Sequence, residues 1–212
     1  MSTKNKISGP LSVFKNDIIK EANEDLPTLR MTWKRDDLGN LILTGPIQRA
    51  DTPNKNWRIY PKEILEREVN RYIEEQVNKG TAYCELDHPE GDTVEAKNAC
   101  ARILEIWWSG NDVMANILVL PEGTGKIVAG MIETGGAIGI SSRGSGSVKD
   151  LPTGYQEIQE DFQLYCWDLV TDPSTHEAYV GPQVLTEKGA NKNKRNIIKH
   201  RINNLIRDIF EY

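Results

Sequence analysis

The chain has 212 residues, enough for one domain of ordinary size plus extensions, and its 27% charged and 38% apolar residues describe a globular protein rather than a disordered one. Its net charge of -5 is uneven, because residues 188–212 carry seven Lys and Arg against Asp208 and Glu211, leaving an acidic body and a basic tail. An acidic body excludes a general nucleic-acid groove, no stretch reaches membrane-spanning length, and three cysteines without metal-ligand spacing exclude a disulfide framework or zinc site.

In chain order, 14–25 reads as a short helix with Phe14, Ile18 and Ile19 on one face, set apart by Leu26-Pro27. Leu29, Met31 and Trp33 alternate with polar residues, a turn follows at 37–40, and 41–47 is apolar again, which predicts a β-hairpin. Pro61 opens a helix whose apolar face is Leu65, Val69, Tyr72, Ile73 and Val77, ended by Gly80. Residues 81–86, 99–108 and 113–120 read as strands, the last two joined by the Gly110-Asn111-Asp112 turn. A second helix is expected over 124–133, stopped by Gly135-Gly136. A strand over 137–141 then runs into a Gly/Ser-rich loop, and another strand over 162–171 ends at Asp172-Pro173. In the tail, Ile198, Ile202, Leu205 and Ile209 paint one stripe on a basic helix that needs a partner surface. The pattern is α+β, with a mostly antiparallel sheet or barrel.

Three histidines limit the candidates for a general base near neutral pH. His88 follows a strand and precedes Pro89, so a rigid strand end can hold its ring at a cleft mouth. In Ile138-Gly139-Ile140-Ser141-Ser142-Arg143-Gly144, glycines let a substrate backbone approach a hydroxyl nucleophile, and the amides of Ser142, Arg143 and Gly144 are candidate oxyanion donors, with the Arg143 charge nearby. Asp168 lies on the strand face opposite Trp167 and Leu169, where a carboxylate wants a partner such as the ring of the base. His176 is a rival third member, and Cys84 or Cys166 a rival nucleophile. Against these stand plain alternatives: a turn histidine, a structural Gly/Ser hairpin, an edge-strand acid, and buried cysteines.

Four separated motifs resemble, in order and spacing, the prohead proteases of T-even-type phages: Asn56-Trp57-Arg58-Ile59-Tyr60-Pro61, Glu85-Leu86-Asp87-His88-Pro89, Trp107-Trp108-Ser109-Gly110-Asn111-Asp112-Val113 and Gly139-Ile140-Ser141-Ser142-Arg143-Gly144. The resemblance spans roughly residues 40 to 180. It implies a small β-barrel wrapped by helices, similar to herpesvirus assembly proteases, with His88 and the first serine of the pair, Ser141, catalytic and Asp168 in the third position. It implies no metal and no organic cofactor. It also implies cleavage of scaffold and capsid proteins, inside the immature head in the host cytoplasm, after Leu or Ile, any residue, then Glu, together with self-cleavage. Candidate cuts follow Glu21 and Glu187, within an extension expected at 1–27 and a removable tail expected at 184–212 that flank a protease domain at 28–183. Glu66, Glu105 and Glu160 fit the same tripeptide pattern, and folding is expected to protect those inside strands or helices. A homo-oligomer is expected, with no membrane and no specific nucleic acid as partner. The rival function is a non-enzymatic scaffold or inner-shell protein whose basic tail helix docks acidic core partners.

Overall fold

The computed structural model describes residues 31–175 and 178–180. The expected helix at 14–25, the amphipathic tail, His176 and the candidate cuts after Glu21 and Glu187 lie outside these residues. The predicted hairpin forms from β1 (Thr32–Arg35) and β2 (Leu41–Arg49), paired antiparallel with Arg35 opposite Leu41. Its turn is built by Asp36, whose carboxylate accepts the amides of Leu38 and Asn40 and the Asn40 side chain. After the short β3 (Arg58–Ile59), Pro61 caps helix α1 (Lys62–Tyr72), which buries Leu65, Val69 and Tyr72 as its periodicity predicts and runs on as a π-helical turn over Ile73–Val77.

The strands β4 (Tyr83–Glu85), β5 (Ala99–Ser109) and β6 (Asp112–Val119) follow, the last two closed by Gly110-Asn111 with Gly110 at φ +64°. Helix α2 (Thr124–Glu133) then leads to β7 (Ile138–Ser145), β8 (Val148–Asp150), β9 (Gln156–Ile158), β10 (Gln163–Val170) and β11 (Tyr179–Val180). One sheet has the order β1-β2-β6-β5-β4, a second β10-β7-β11 and a third β3-β9-β8. All ladders are antiparallel except β3 with β9.

The fold is α+β, but the expected closed barrel is not found among the described residues. The two larger sheets approach each other at both margins through one isolated bridge each, Leu86 to Leu169 and Met31 to Val180. With three residues in β4 and two in β11, neither margin carries a ladder among the described residues, and within them the circuit of strands is broken at two seams. The helix expected over 124–133 is present, whereas β7 continues past Ser141 to Ser145, into the segment expected to be a Gly/Ser loop, leaving only Gly146-Ser147 between it and β8.

The core fixes the register that matters for function. Trp167 and Leu169 are fully buried, and Trp167 meets Tyr72 edge to face at 5.0 Å while its indole N–H donates to Gln48 Oε1 at 3.1 Å. Side chains of this size contribute about 2 to 3 kcal/mol each on burial, so a one-residue slip of β10 that expelled them and turned Asp168 into the apolar interior would be prohibitive. Helix α1 adds a polar clamp. Buried Glu68 accepts the Leu164 amide at 3.0 Å and Arg71 donates to the Leu164 carbonyl at 2.6 Å, at the point where β10 bulges against β7 between Leu164 and Cys166.

Candidate active site

Three elements bring His88, Asp168 and Ser141 together. Asp168 and Ser141 are directly opposed on the antiparallel pair β10 and β7, so their side chains share one face at cross-strand distance. His88 arrives from the end of β4: the bridge of Leu86 with Leu169 and the Asp87 amide donating to the Leu169 carbonyl at 2.7 Å seat this loop on β10 beside Asp168. Asp87 has φ +65°, a left-handed conformation that Asp tolerates and that reverses the chain just before the histidine.

The ring is thereby turned onto the carboxylate, with His88 Nδ1 2.9 Å from Asp168 Oδ2. The Asp168 side chain is wholly buried while that of His88 is 42% exposed, so the pair spans the boundary between interior and solvent. Nδ1 facing a carboxylate fixes the proton on that nitrogen and leaves Nε2 as the basic one. The other carboxylate oxygen, Oδ1, accepts from the Glu85 amide at 3.2 Å, Arg143 Nη2 at 3.3 Å and the Cys166 thiol at 3.4 Å. A buried charge needs this many partners.

Ser141 is buried, and its hydroxyl lies 3.3 Å from that of Ser174. Among the described residues it makes no direct hydrogen bond to His88, an arrangement common before substrate tightens a catalytic pair. Ser174 follows Pro173, which presses against Gly139: a Cβ at Gly139 would fall 2.1 Å from Pro173 Cγ. Glycine here is what lets the 172–174 turn close over the serine.

The three candidate oxyanion residues separate by strand alternation. The Ile140 amide donates to the Ala178 carbonyl, so the Ser142 and Gly144 amides point to that same edge, whereas the Arg143 amide points to β10. β11 pairs only with Ile138 and Gly139, and past Ile140 this edge of β7 carries no strand among the described residues. The Arg143 side chain is engaged elsewhere: its Nη2 donates to Glu85 Oε2 at 2.5 Å, and its Nη1 to the carbonyls of Gly91 and Pro89 at 3.0 and 3.3 Å. Its Nε lies 2.9 Å from Asp168 Oδ2 without its N–H aimed at an acceptor, so that contact is Coulombic.

Cys84 and Cys166, the rival nucleophiles, are both buried. Burial, reinforced by the nearby Asp168 charge, pushes the Cys166 thiol up to about 12, and burial raises Cys84 well above its ordinary value. Neither supplies a thiolate at neutral pH, which removes the species that would react. Three residues at the site escaped the sequence reading. Glu85 is wholly buried beside Arg143, and the signal was a carboxylate on a strand otherwise destined for the interior. Ser174 carried no signal. Tyr60 is held above its ordinary pKa by burial, against the opposing effects of the Arg58 charge and the Ser142 hydroxyl beside it.

Of the tripeptide sites inside the described residues, Glu66 lies in α1 and Glu105 in β5, while Glu160 sits in an exposed turn after β9.

Comparison with known proteins gives a consistent result. A family model described as prohead core protein serine protease matches residues 19–204. The prohead core protein protease of Enterobacteria phage T4 is 40% identical over 157 residues, covering 71% of this chain and 74% of that protein. The solved structure of the bacteriophage T4 capsid assembly protease superposes with a TM-score of 0.62 at 34% identity, over 68% of this chain and 96% of that one.

Proposed function

The chain belongs to the prohead core protein serine protease family, and on that premise we propose that it is a serine endopeptidase in which Ser141 is the nucleophile, His88 the general base and Asp168 the carboxylate that orients it. The observation that carries this reading is the 2.9 Å contact of His88 Nδ1 with Asp168 Oδ2, made by the residue directly opposite Ser141. Ser141 Oγ attacks the scissile carbonyl carbon and His88 Nε2 takes its proton. Asp168 holds the resulting imidazolium through Nδ1–H. The oxyanion is met by backbone amides on the edge of β7 that carries no strand among the described residues, where Ser142 and Gly144 point. His88 then returns the proton to the leaving amine, and water, deprotonated by the same ring, releases the acyl group from Ser141.

The substrates are scaffold and capsid proteins of the immature phage head, cut after Leu or Ile, any residue, then Glu. The T4 relative's description as a capsid assembly protease supports the substrate class. Arg58 acts on the Tyr60 hydroxyl that Ser142 also meets, and a cation one side chain away from the serine pair supports an acidic residue at the cut. The same activity trims the chain itself after Glu21 and Glu187, leaving residues 22–187, which contain the protease domain at 28–183, and the trimmed protein works as a homo-oligomer. The broken circuit of strands is compatible with an opened relative of the herpesvirus-type barrel.

The test is self-cleavage. Full-length protein is expected to lose its termini on incubation, read by intact-mass spectrometry, and Ser141→Ala is expected to keep them. A Ser141→Ala chain that trims itself alone would remove Ser141 from the mechanism.

A further inference from the structure

Behind the His88–Asp168 pair lies a second buried pair that the mechanism above does not use. Glu85 on β4 and Arg143 on β7 meet at 2.5 Å with side chains 0% and 9% exposed. Each also holds the loop that carries the base. Arg143 Nη1 donates to the carbonyls of Pro89 and Gly91, and Glu85 Oε1 accepts the amide of Glu95 at 3.0 Å. The loop from His88 to Glu95 is thus tied near both ends to one buried ion pair, whose cation is two residues from Ser141 on the same strand.

We propose that the Glu85–Arg143 pair is a positioning device for the base: it fastens the His88 loop to the strand of Ser141 and supplies the second negative charge that leaves the buried cluster neutral when His88 holds the serine proton. This rests on the reading of Ser141, His88 and Asp168 given above. His88 contacts Asp168 of β10, and gathered on that carboxylate are Cys166 of β10, Arg143 of β7 and the amide of Glu85 of β4, with Cys84 of β4, Cys100 of β5 and Tyr72 of α1 within its field and Glu90 and Asp92 of the His88 loop exposed to solvent. The thiols are neutral, so two carboxylates and one guanidinium leave the buried set at one net negative charge while the imidazole is neutral. Proton transfer from Ser141 brings it to zero. Without Glu85, Arg143 would face Asp168 unopposed and draw its charge away from the ring, and the proton would arrive on a cluster already neutral. Arginine is suited to the task because a single planar fork reaches two loop carbonyls and a carboxylate at once, which a lysine ammonium cannot.

The experiment uses the full chain with three substitutions. In a Ser141→Ala background the His88 ring is titrated by NMR with and without Glu85→Gln. Glu85→Gln is expected to lower the His88 pKa by about half a unit to one unit, the size of one charge removed two ionic contacts away from a half-exposed ring. In the Ser141 enzyme the acid limb of kcat/KM should move down with it. A His88 titration unchanged to within about 0.2 unit in folded Glu85→Gln protein overturns the charge role. Arg143→Lys keeps the charge and loses the fork: at least about a tenfold loss of kcat at the optimum is expected with the acid limb in place, and full activity overturns the anchoring role. Because the titration needs no turnover, it judges the pair even if Ser141→Ala retained peptidase activity, a result that would fell the nucleophile and not the pair.

Discussion

Asp168→Asn is the most informative single substitution, because it keeps the shape of a wholly buried side chain while removing its charge. The charge acts on an imidazolium whose Nδ1 lies 2.9 Å from Oδ2. For charge centres about 4 Å apart at an effective dielectric constant near 20, the attraction is about 4 kcal/mol, reduced toward about 3 because His88 is partly exposed. That is two to three powers of ten in the rate of a step that creates the imidazolium. A second loss adds to it: an amide nitrogen facing Nδ1 favours the tautomer with its proton on Nε2, which cannot accept from Ser141. In the serine proteases that define this arrangement, the matching substitution costs about 10⁴-fold. Between about 10³- and 10⁴-fold lower kcat is therefore expected here, with KM little changed. The assay is steady-state cleavage of a peptide ending its recognised half in Glu, with thermal unfolding as the folding control. A folded Asp168→Asn enzyme within tenfold of the parent would refute the orienting role of Asp168.

Other expectations concern the scaffold around the site. Glu68→Gln should cost about 2 kcal/mol in denaturant unfolding, because the Leu164 amide and two arginines lose their charged acceptor in a buried setting. Burial works against the Glu68 charge, but Arg71, the Leu164 amide and Arg67 outweigh it and hold the carboxyl below its ordinary 4.5. Its contribution is thus complete above about pH 4.5 and fades as pH falls through the lower folded value, so Glu68→Gln should flatten the acid side of the stability profile. Gly139→Ala should drive Pro173 and with it Ser174 away from Ser141, costing about 1 to 3 kcal/mol and lowering kcat; a melting point and rate equal to the parent would contradict the contact. Asp87→Val should destabilise by about 1 to 2 kcal/mol at its φ of +65°, whereas Asp87→Gly should not, as a pair of melting curves will show.

Much of this was legible in the sequence where local chemistry and tertiary packing agree. Helix α1 announces itself by Pro61 and the spacing of Leu65, Val69 and Tyr72, and the β5–β6 hairpin by Gly110 between apolar runs. The path of β7 was obscured because Ser142-Arg143-Gly144-Ser145 has little strand propensity of its own. What makes it a strand is pairing with β10, and glycine at 144 fits because a Cβ there would lie 2.4 Å from the Gln163 carbonyl. The short strands β3, β8, β9 and β11 carry too few residues for a period to show. At the site, alternation around Trp167 and Leu169 put Asp168 on the opposite face, but its neighbour could not be read from spacing: His88 is 80 positions away and reaches it through the Leu86–Leu169 bridge. Glu85 went unassigned for the same reason, since its partner Arg143 lies 58 positions on and is expected, from composition alone, in solvent.

The central claim is that Ser141 is the nucleophile and His88 activates it. The most direct measurement is labelling of a preparation that is actively cleaving substrate with a fluorophosphonate, followed by peptide mass spectrometry to locate the adduct. One adduct on Ser141 that rises as activity falls, and is lost in His88→Ala, is the predicted result. Complete loss of activity with the adduct on another residue, or persistent cleavage with Ser141 fully modified, would contradict it.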